Sequence, residues 1–290
     1  MSDELVIIDV SNIAHRARHA IHDMSYDGEQ TAAQFGVLKN IMEMQELFPG
    51  CRFAFCFDGG YKNRRSIAPE YKMNRQKNRT PEEDELRKDV QRQIRELGQV
   101  TLPACGFRNI WRARGFEADD LIAMACRTVP VQRIIVVSTD QDLYQLLKKK
   151  PRDVSIYNPA KKKIQTAKWF RREYGICPEF WSRVKAWAGC SSDGLTGLSG
   201  VGEKTAIRFM LGLLKPGTKT FKKFQADTSW ELFRRNLRVT DLPFDGCPQF
   251  ELAEDEWSQS NWDAACEELG ISMLRDRPRG VKRRGFFEED

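Results

Sequence analysis

The sequence predicts an α/β fold with a central, mostly parallel sheet, flanking helices and a C-terminal helical region. Apolar runs rich in β-branched residues recur in the first half of the chain, and helical patterns alternate with them. After about residue 180, helical patterns separated by glycine-rich turns take over. With 290 residues, 41% hydrophobic and 30% charged, the chain suits one large or two modest globular domains.

Three of the apolar runs end in an aspartate. They are LVIID up to Asp9, FAFCFD up to Asp58 and RIIVVSTD up to Asp140. Continuous apolar runs are typical of strands that are buried on both faces, as in a parallel sheet. Because the carboxyl ends of such strands share one crevice, where ligands bind, we expect the three aspartates to converge there.

Helical patterns fill the intervals, at residues 31–48 and 119–126, but the segment from about 59 to 98 is different. It opens with two glycines, and residues 62–79 hold seven Lys or Arg against one acid. Thr80, followed by Pro81 and Glu83, predicts the start of a helix. We therefore predict a basic, partly helical excursion above the edge of the sheet.

The change of pattern near residue 180 suggests two parts. Residues 1–180 are predicted to form the α/β domain and residues 181–290 a helical region, with a local helix–hairpin–helix at about 189–212. The tail RDRPRGVKRRGFFEED is charged and contains Gly and Pro, so we expect it to be mobile.

Composition narrows the class of protein. Eight cysteines without a C-x-x-C pair indicate reduced, mostly buried thiols and argue against structural zinc. No apolar run approaches the roughly 20 residues of a membrane span, and the start lacks a basic and apolar leader, so we expect a cytoplasmic protein. A net charge of +6 suits a nucleic-acid partner, although a solvated basic face gives the same count.

Carboxylates gather in several segments that this fold would bring to the crevice, including GFEADDLIA and STDQDLYQLL. So many carboxylates at one place would repel each other unless a cation compensates. Oxygen ligands select hard ions, Mg²⁺ first and Mn²⁺ second. Each aspartate alone could equally be a helix cap. The candidate metal ligands are Asp9, Asp58, Glu117, Asp119, Asp120, Asp140, Asp142 and Asp193.

A carboxylate cage for two metal ions suits phosphodiester hydrolysis, which also benefits from a cation near the scissile phosphate. Lys72 and Arg75 are the candidates for that cation, and Tyr71 offers a ring on which a terminal base could stack. Arg64 and Arg65, in the same basic run, are candidate DNA contacts. The alternative is that the cations are merely solvated and Tyr71 merely buried.

The run GLSGVGEKTA places backbone amides at the start of a helix, where a phosphate can approach without obstruction by side chains. Taken alone, this turn could be a simple connector. The DNA-binding candidates here are Gly200, Gly202, Lys204, Thr205 and Arg208, and the two basic residues would share one helix face.

At these residues the sequence resembles the 5′–3′ exonuclease and flap endonuclease family, which includes phage 5′ nucleases and the nuclease domain of bacterial DNA polymerase one. The resemblance runs from about residue 4 to 215. Its strings are IIDVSN, FCFDGG, PEYKMNR, GFEADDLIA, STDQDLYQLL and GCSSDGLTGLSGVGEKTA. The two central acidic strings are the most specific. No polymerase domain accompanies them, so the chain resembles the stand-alone members.

The resemblance implies a role for each matching residue. Asp9, Asp58, Glu117 and Asp119 match the first metal site, and Asp120, Asp140, Asp142 and Asp193 match the second. Lys72 matches a lysine at the base of a helical arch that is implicated in cleavage, and Arg75 matches a basic residue that contacts phosphate. The turn from Gly200 to Thr205 matches a duplex-binding helix–hairpin–helix that can hold K⁺.

Cys190 and Gly194 depart from the family pattern, which has Asp and Asn at these positions. Because a thiol is a poor Mg²⁺ ligand, we expect Cys190 to weaken the second site without abolishing activity. A greater metal requirement or a changed balance of endonuclease and exonuclease products would follow.

The sequence thus predicts a nuclease that leaves 5′-phosphates, acts in replication or repair, and reads DNA shape at a 5′ end or flap. An RNA–DNA hybrid is a further possible substrate, and replication proteins are possible partners. We expect the protein to be a monomer in the cytoplasm of a bacterial or phage-infected cell. Two alternatives stand beside this prediction. One is a related metal-dependent ribonuclease, and the other is a DNA-binding protein whose catalysis has weakened.

Overall fold

The apolar runs of the sequence become neighbouring strands of one sheet in the computed structural model, which describes residues 3–21, 24–74 and 80–275. The strands are β1 (Glu4–Asp9), β2 (Ser25–Tyr26), β3 (Glu29–Gln30), β4 (Arg52–Phe57), β5 (Ile110–Arg112), β6 (Arg133–Val137), β7 (Asp153–Asn158), β8 (Lys163–Gln165), β9 (Gly189–Cys190) and β10 (Leu195–Thr196). Six of them form the central sheet in the order β5-β4-β1-β6-β7-β8, and only β8 runs antiparallel to its neighbour. The predicted mostly parallel sheet is confirmed.

In the central sheet, α-helices lie between β1 and β4, between β4 and β5 and between β5 and β6, as the alternating pattern predicts, and further helices follow β8. They are α1 (Val10–Ala20), α2 (Ala32–Leu47), α3 (Lys62–Arg65), α4 (Pro81–Glu96), α5 (Leu102–Ala104), α6 (Ala118–Thr128), α7 (Ala167–Tyr174), α8 (Trp181–Ala188), α9 (Glu203–Met210), α10 (Lys219–Gln225), α11 (Asp227–Thr240) and α12 (Gln259–Glu268). Short 3₁₀ turns at Asp142–Leu146 and Ser191–Asp193 carry further acidic residues. In the described parts of the chain, no helix is both long and apolar enough to span a bilayer.

Both faces of the sheet are covered, which explains why its strands are continuously apolar. Along β1, Leu5 and Ile7 belong to one core while Val6 and Ile8 belong to the other, and all four are fully buried. Alternate side chains of a strand point to opposite faces, so a strand between two layers of helices must be apolar at every position.

The segment at residues 59–98, predicted as an excursion above the sheet edge, packs in part on the core. Its helix begins where expected, because Thr80 and Glu83 form a capping box at the start of α4. The second half of α4 packs on the α/β core, where Val90 and Ile94 join the same cluster as α1 and α2. The side-chain oxygen of Gln93 accepts hydrogen bonds from the backbone N–H groups of Ala33 (2.9 Å) and Gln34 (3.2 Å) and thereby caps α2.

Helices α10 and α11 pack on α8 in the part of the chain after residue 180. Trp187 of α8 stacks on Phe233 and contacts Phe224 edge to face, which ties α10 and α11 to it. Trp181 and Val184 share a core with the β1 side chains, so the two parts are continuous there. The C-terminal helix α12 packs on the other core, with α1 and α2.

Candidate metal centre

Three predicted acidic residues meet at the carboxyl ends of β4, β1 and β6. Asp9 is the last residue of β1, Asp58 follows β4 directly, and Asp140 lies just beyond β6. They line one crevice of about 800 Å³ together with Glu117 and Asp119, which lie at the start of α6. We call these five residues the crevice carboxylates.

Asp9 is also the N-cap of α1, and Asp58 accepts a hydrogen bond at the start of α6, whose N-cap is Glu117. Asp9 accepts hydrogen bonds from the Asn12 N–H (3.2 Å) and from the Ser138 hydroxyl (2.8 Å). Asp58 accepts one from the N–H of Ala118 (2.9 Å), at the start of α6. Capping fixes the carboxylates in place, and each carboxylate keeps lone pairs for a further ligand.

The loop after β6 is held by a chain of short-range hydrogen bonds. The Asp140 N–H donates to the Ser138 hydroxyl (3.1 Å), and the Asp142 N–H donates to an Asp140 carboxylate oxygen (2.8 Å). Asn12 accepts hydrogen bonds from both the N–H and the hydroxyl of Thr139. This network explains how α1 and the loop after β6 place Asp9 and Asp140 in the same crevice.

A second group lies beside the first and contains Asp142, Cys190 and Asp193. Their ligand atoms lie within 4.8 Å of one another. The group lines a small cavity of about 20 Å³ that Asp119 also borders, so Asp119 lies between the two groups. We call this second group the thiol–carboxylate cluster.

Lys72 joins the two groups electrostatically. The Lys72 ammonium contacts Glu117 and lies 3.8 Å from an Asp193 carboxylate oxygen. The backbone N–H of Lys72 donates to the Asp193 carbonyl (2.6 Å). The backbone of Lys72 has a φ of 55°, a left-handed conformation that costs a non-glycine residue on the order of 1 kcal/mol or more. Such strain persists where surrounding contacts impose it, and functional sites are common among those places.

Crowding of the carboxylates changes their protonation. Burial, and then the charge of Asp58, raise the pKa of Asp9 to about 7. Burial and the charge of Asp142 raise the pKa of Asp140 to about 6, and burial with the charge of Asp140 raises the pKa of Asp119. A divalent cation would relieve this repulsion. The donor set of the crevice carboxylates is oxygen-only and fits a hard ion, whereas the thiol–carboxylate cluster contains a soft donor.

The structure corrects the expected roles of Asp120 and Arg64. Asp120 is fully buried, and its carboxylate forms a bidentate pair with the Arg64 guanidinium (2.5 and 2.7 Å). It also accepts hydrogen bonds from the N–H of Glu117 and of Phe244, so its lone pairs are occupied inside the protein. Arg64 is 3% exposed and donates to the Val239 carbonyl as well. The pair braces the loop that presents Glu117, so Asp120 is not placed to hold a metal ion, nor Arg64 to contact DNA.

Tyr71 is likewise corrected. It is 6% exposed, and its hydroxyl donates to Glu117 (2.9 Å), so its ring is not available for a base to stack on. Burial also raises the pKa of Tyr71, which keeps the hydroxyl a donor. Arg65 is half-buried against the Tyr61 ring and donates to the Tyr71 carbonyl. Arg75, the predicted partner of Lys72, lies outside the described residues.

The glycine turn forms as predicted but lies apart from the crevice lining. Gly200 has a φ of 72°, and Gly202 precedes α9, which carries Lys204, Thr205 and Arg208. Both basic side chains are exposed. The turn is anchored to α8 by a hydrogen bond from the Leu198 N–H to the Trp187 carbonyl (2.8 Å).

Lys185 is a charged residue of this region that the sequence patterns do not reveal. Its ammonium lies 3.2 Å from Asp142 and 3.0 Å from Glu203, and the side chain is largely buried. These two carboxylates raise the pKa of Lys185 although burial lowers it, so the ammonium stays charged. Lys185 lies in the middle of α8, and only its packing partners show that it faces acids. His15 and His19 also line the crevice, a position that their helical spacing does not indicate.

Residues 4–175 match the family model described as 5′–3′ exonuclease, N-terminal resolvase-like domain. DNA polymerase I of Pseudomonas aeruginosa is 30% identical over 213 residues, which cover 72% of this chain and 22% of that protein. The chain thus spans less than a quarter of that relative.

Among solved structures, the 5′-exonuclease of phage T5 with bound divalent metal ions (zinc) has a TM-score of 0.70 at 21% identity. That match covers 94% of this chain and all of the T5 chain. Human GEN1 in complex with Holliday junction DNA has a TM-score of 0.56 at 14% identity, covering 94% of this chain and 73% of that chain. At these identities the likeness shows a shared fold.

Proposed function

Because this chain belongs to the 5′–3′ exonuclease family, we propose that it is a structure-specific 5′ nuclease that hydrolyses DNA phosphodiester bonds with divalent metal ions. The observation that carries the proposal is the convergence of the five crevice carboxylates, Asp9, Asp58, Glu117, Asp119 and Asp140, at the ends of adjacent parallel strands. The T5 exonuclease structure with bound metal ions supports the proposed use of divalent metals, and the GEN1 structure with bound junction DNA supports DNA as the substrate.

The crevice carboxylates would hold the first ion, and Asp142, Asp193 and the neighbouring Asp119 would take part in holding a second. Mg²⁺ is the expected ion at the oxygen-only donors, and Mn²⁺ is expected to substitute. When bound, the two ions would activate water for attack on the phosphodiester and stabilise the leaving oxygen. The products would carry 5′-phosphates.

Lys72 would stabilise charge that develops on the scissile phosphate. In the absence of substrate its ammonium is paired with Glu117, so it is already held at the crevice, between the two carboxylate groups. A preorganised cation loses little conformational freedom when the substrate arrives. Arg75 is proposed as its partner on the same phosphate.

DNA would be gripped at a distance from the chemistry. The exposed Lys204 and Arg208, four residues apart on α9, would contact the duplex backbone, and the turn from Gly200 to Thr205 would form the helix–hairpin–helix site for K⁺. The part of the segment at 59–98 that does not pack on the core would form the arch over a single strand. An RNA–DNA hybrid as substrate, a monomeric state, and a role in replication or repair belong to the same proposal.

The test uses a 5′-end-labelled flap, a blunt duplex and a matched RNA substrate, each with Mg²⁺, Mn²⁺ or EDTA. Asp140→Asn should lower cleavage by more than about 100-fold, beyond the 10- to 100-fold typical of groups that only support a ligand. Asp245→Asn, an exposed aspartate outside both cavities, is the matched control and should cleave normally. Ligation of the products by a DNA ligase would establish the 5′-phosphate.

Tight flap binding without cleavage under either metal would reject the nuclease and favour a DNA-binding protein. Cleavage of the RNA substrate alone would favour the ribonuclease. Either result leaves the fold assignment unchanged.

A further inference from the structure

The thiol–carboxylate cluster brings three possible ligands of one ion close together. One ligand atom each from Asp142, Cys190 and Asp193 can be chosen so that all three lie within 4.8 Å of one another. They face a cavity of about 20 Å³, slightly more than the roughly 10–15 Å³ that one water molecule needs by the same kind of measure. A single small ion would fill it.

The loop that carries Cys190 and Asp193 is held in this arrangement by its own contacts. Cys190 pairs with Leu195 in the two-stranded β9–β10 sheet, and the 3₁₀ turn at Ser191–Asp193 closes it. The Asn74 side chain donates to the Ser191 carbonyl (2.9 Å), and the Lys72 N–H donates to the Asp193 carbonyl. The cluster is therefore preformed by backbone contacts on both sides of the loop.

The donor set does not suit Mg²⁺. Mg²⁺ demands oxygen ligands in near-ideal octahedral geometry and gives up water reluctantly, and a thiol adds nothing to that coordination. Zn²⁺ accepts sulfur and carboxylate oxygen in one tetrahedral shell, often with three protein ligands and one open position. Two carboxylates and one thiol are such a set of three.

The local charge points the same way. The Lys185 ammonium lies 3.2 Å from Asp142, and the Lys72 ammonium lies 3.8 Å from Asp193, so both carboxylates are already partly compensated. An ion held only by electrostatic attraction therefore gains less binding free energy at this cluster. An ion that forms a strong bond to sulfur depends less on the net charge around it.

We infer that Asp142, Cys190 and Asp193 form a site for a thiophilic divalent ion such as Zn²⁺, with the Cys190 thiolate as one ligand. The inference rests on the proposed metal-dependent function, in which the crevice carboxylates hold the other ion. On binding, the thiol proton passes to solvent and a metal–sulfur bond forms, with no change of oxidation state. The ion at this site would then differ from the Mg²⁺ at the crevice carboxylates.

The probe for this site is Co²⁺, which replaces Zn²⁺ at such sites and gives a sulfur-to-cobalt charge-transfer absorption only when a thiolate binds it. Co²⁺ is titrated into the metal-free full-length chain, into Cys190→Ser and into Cys177→Ser. Cys177 is a half-buried free thiol outside the cluster, so it is the matched control. The wild type and Cys177→Ser should both develop the band with one equivalent of Co²⁺, and Cys190→Ser should not.

Further measurements sharpen the result. Zn²⁺ at the micromolar concentrations of the titration should remove the band, whereas millimolar Mg²⁺ should leave it. Cys190→Asp should lose the band while its Mg²⁺ requirement for cleavage falls. A circular dichroism spectrum and an unchanged melting temperature would show that Cys190→Ser is folded.

A band of equal strength in Cys190→Ser, or no band in the wild type, would overturn the inference. This result is separate from the nuclease test. A Cys190-dependent band without cleavage under any metal would reject the nuclease function and support the thiophilic metal site. Mg²⁺-dependent cleavage without a band would support the nuclease function and reject the thiophilic metal site.

Discussion

Asp9 shows how one side chain combines a structural and a chemical role. It ends β1, caps α1 and accepts a hydrogen bond from Ser138, yet it also faces Asp58 and Asp140 across the crevice. A cap alone would be most stable as a charged carboxylate with a lowered pKa. Burial and the neighbouring acids reverse that direction, and a bound cation would relieve the repulsion among these carboxylates.

The raised pKa of Asp9 predicts how stability depends on pH without metal. In the unfolded chain this carboxyl should titrate near 3.9, and in the folded chain near 7. Between these values the native state binds more protons, so stability falls as pH rises from about 4 to about 7 and then levels off. At about 1.4 kcal/mol for each pKa unit, the loss from Asp9 is at most about 4 kcal/mol.

The measurement is the free energy of unfolding in urea from pH 4 to 8, with EDTA or with Mg²⁺. Asp9→Asn should flatten the EDTA profile over that window, and Asp245→Asn should not. Mg²⁺ should protect the wild type more at pH 8 than at pH 5, because ion binding displaces the protons. Parallel profiles with and without Mg²⁺ would contradict the role assigned to Asp9.

Hydrogen bonds between two loops place Asp58, at the end of β4, next to the start of α6. Gly59, directly after Asp58, donates a hydrogen bond to the Phe116 carbonyl (2.8 Å) and accepts one from the Gly115 N–H (2.9 Å). These bonds tie the end of β4 to the start of α6, and so Asp58 lies beside Glu117 and Ala118. A Cβ at Gly59 would lie 1.7 Å from the Ala113 carbonyl oxygen, which no backbone tolerates.

Gly59→Ala is therefore expected to destabilise the fold by about 1–3 kcal/mol and to lower nuclease activity, because the two loops must separate. Gly202→Ala is the control for stability, since a Cβ there meets only open space at a φ below zero. Urea denaturation of both variants measures the difference. Equal stabilities would show that the loops separate without cost.

Secondary structure near this site was largely predictable, and its packing was not. The capping box at Thr80 gives the start of α4 from four residues of sequence. That its far end packs on α1 and α2 depends on Val90, Gln93 and Ile94 meeting partners about 60 residues away. No local pattern contains that information.

Charge acts at the scale of the whole molecule. The net charge is +6, and the exposed basic residues of α9 lie apart from the acidic crevice. A protein that binds backbone phosphates through such residues releases counterions, so its affinity falls with salt and depends little on base sequence. The proposed duplex contact can be tested in these terms.

Lys204→Ala and Arg208→Ala should each reduce the slope of log K against log salt by about 1 for a flap substrate. Lys149→Ala is the control. This exposed lysine precedes the amino end of β7, whereas the crevice lies at the carboxyl ends of the strands. Fluorescence anisotropy at several salt concentrations in EDTA measures binding without cleavage. Unchanged slopes in both α9 variants would remove α9 from the DNA interface.

The sequence by itself determined the α/β class, the parallel sheet and the convergence of Asp9, Asp58 and Asp140. Continuous apolar runs specify strands buried on both faces, and parallel strands place their ends at one edge. These are consequences of local pattern and backbone geometry, which hold whatever the details of packing.

Only the tertiary structure decided which charged residues face a ligand and which face each other. Arg64 and Asp120 look like a DNA contact and a metal ligand in sequence, but they pair inside the protein. Lys185 reaches Asp142 across more than 40 residues of chain. A charged side chain is stabilised by whichever opposite charge the fold brings near, and that distance is set by long-range packing, which no spacing along the chain encodes.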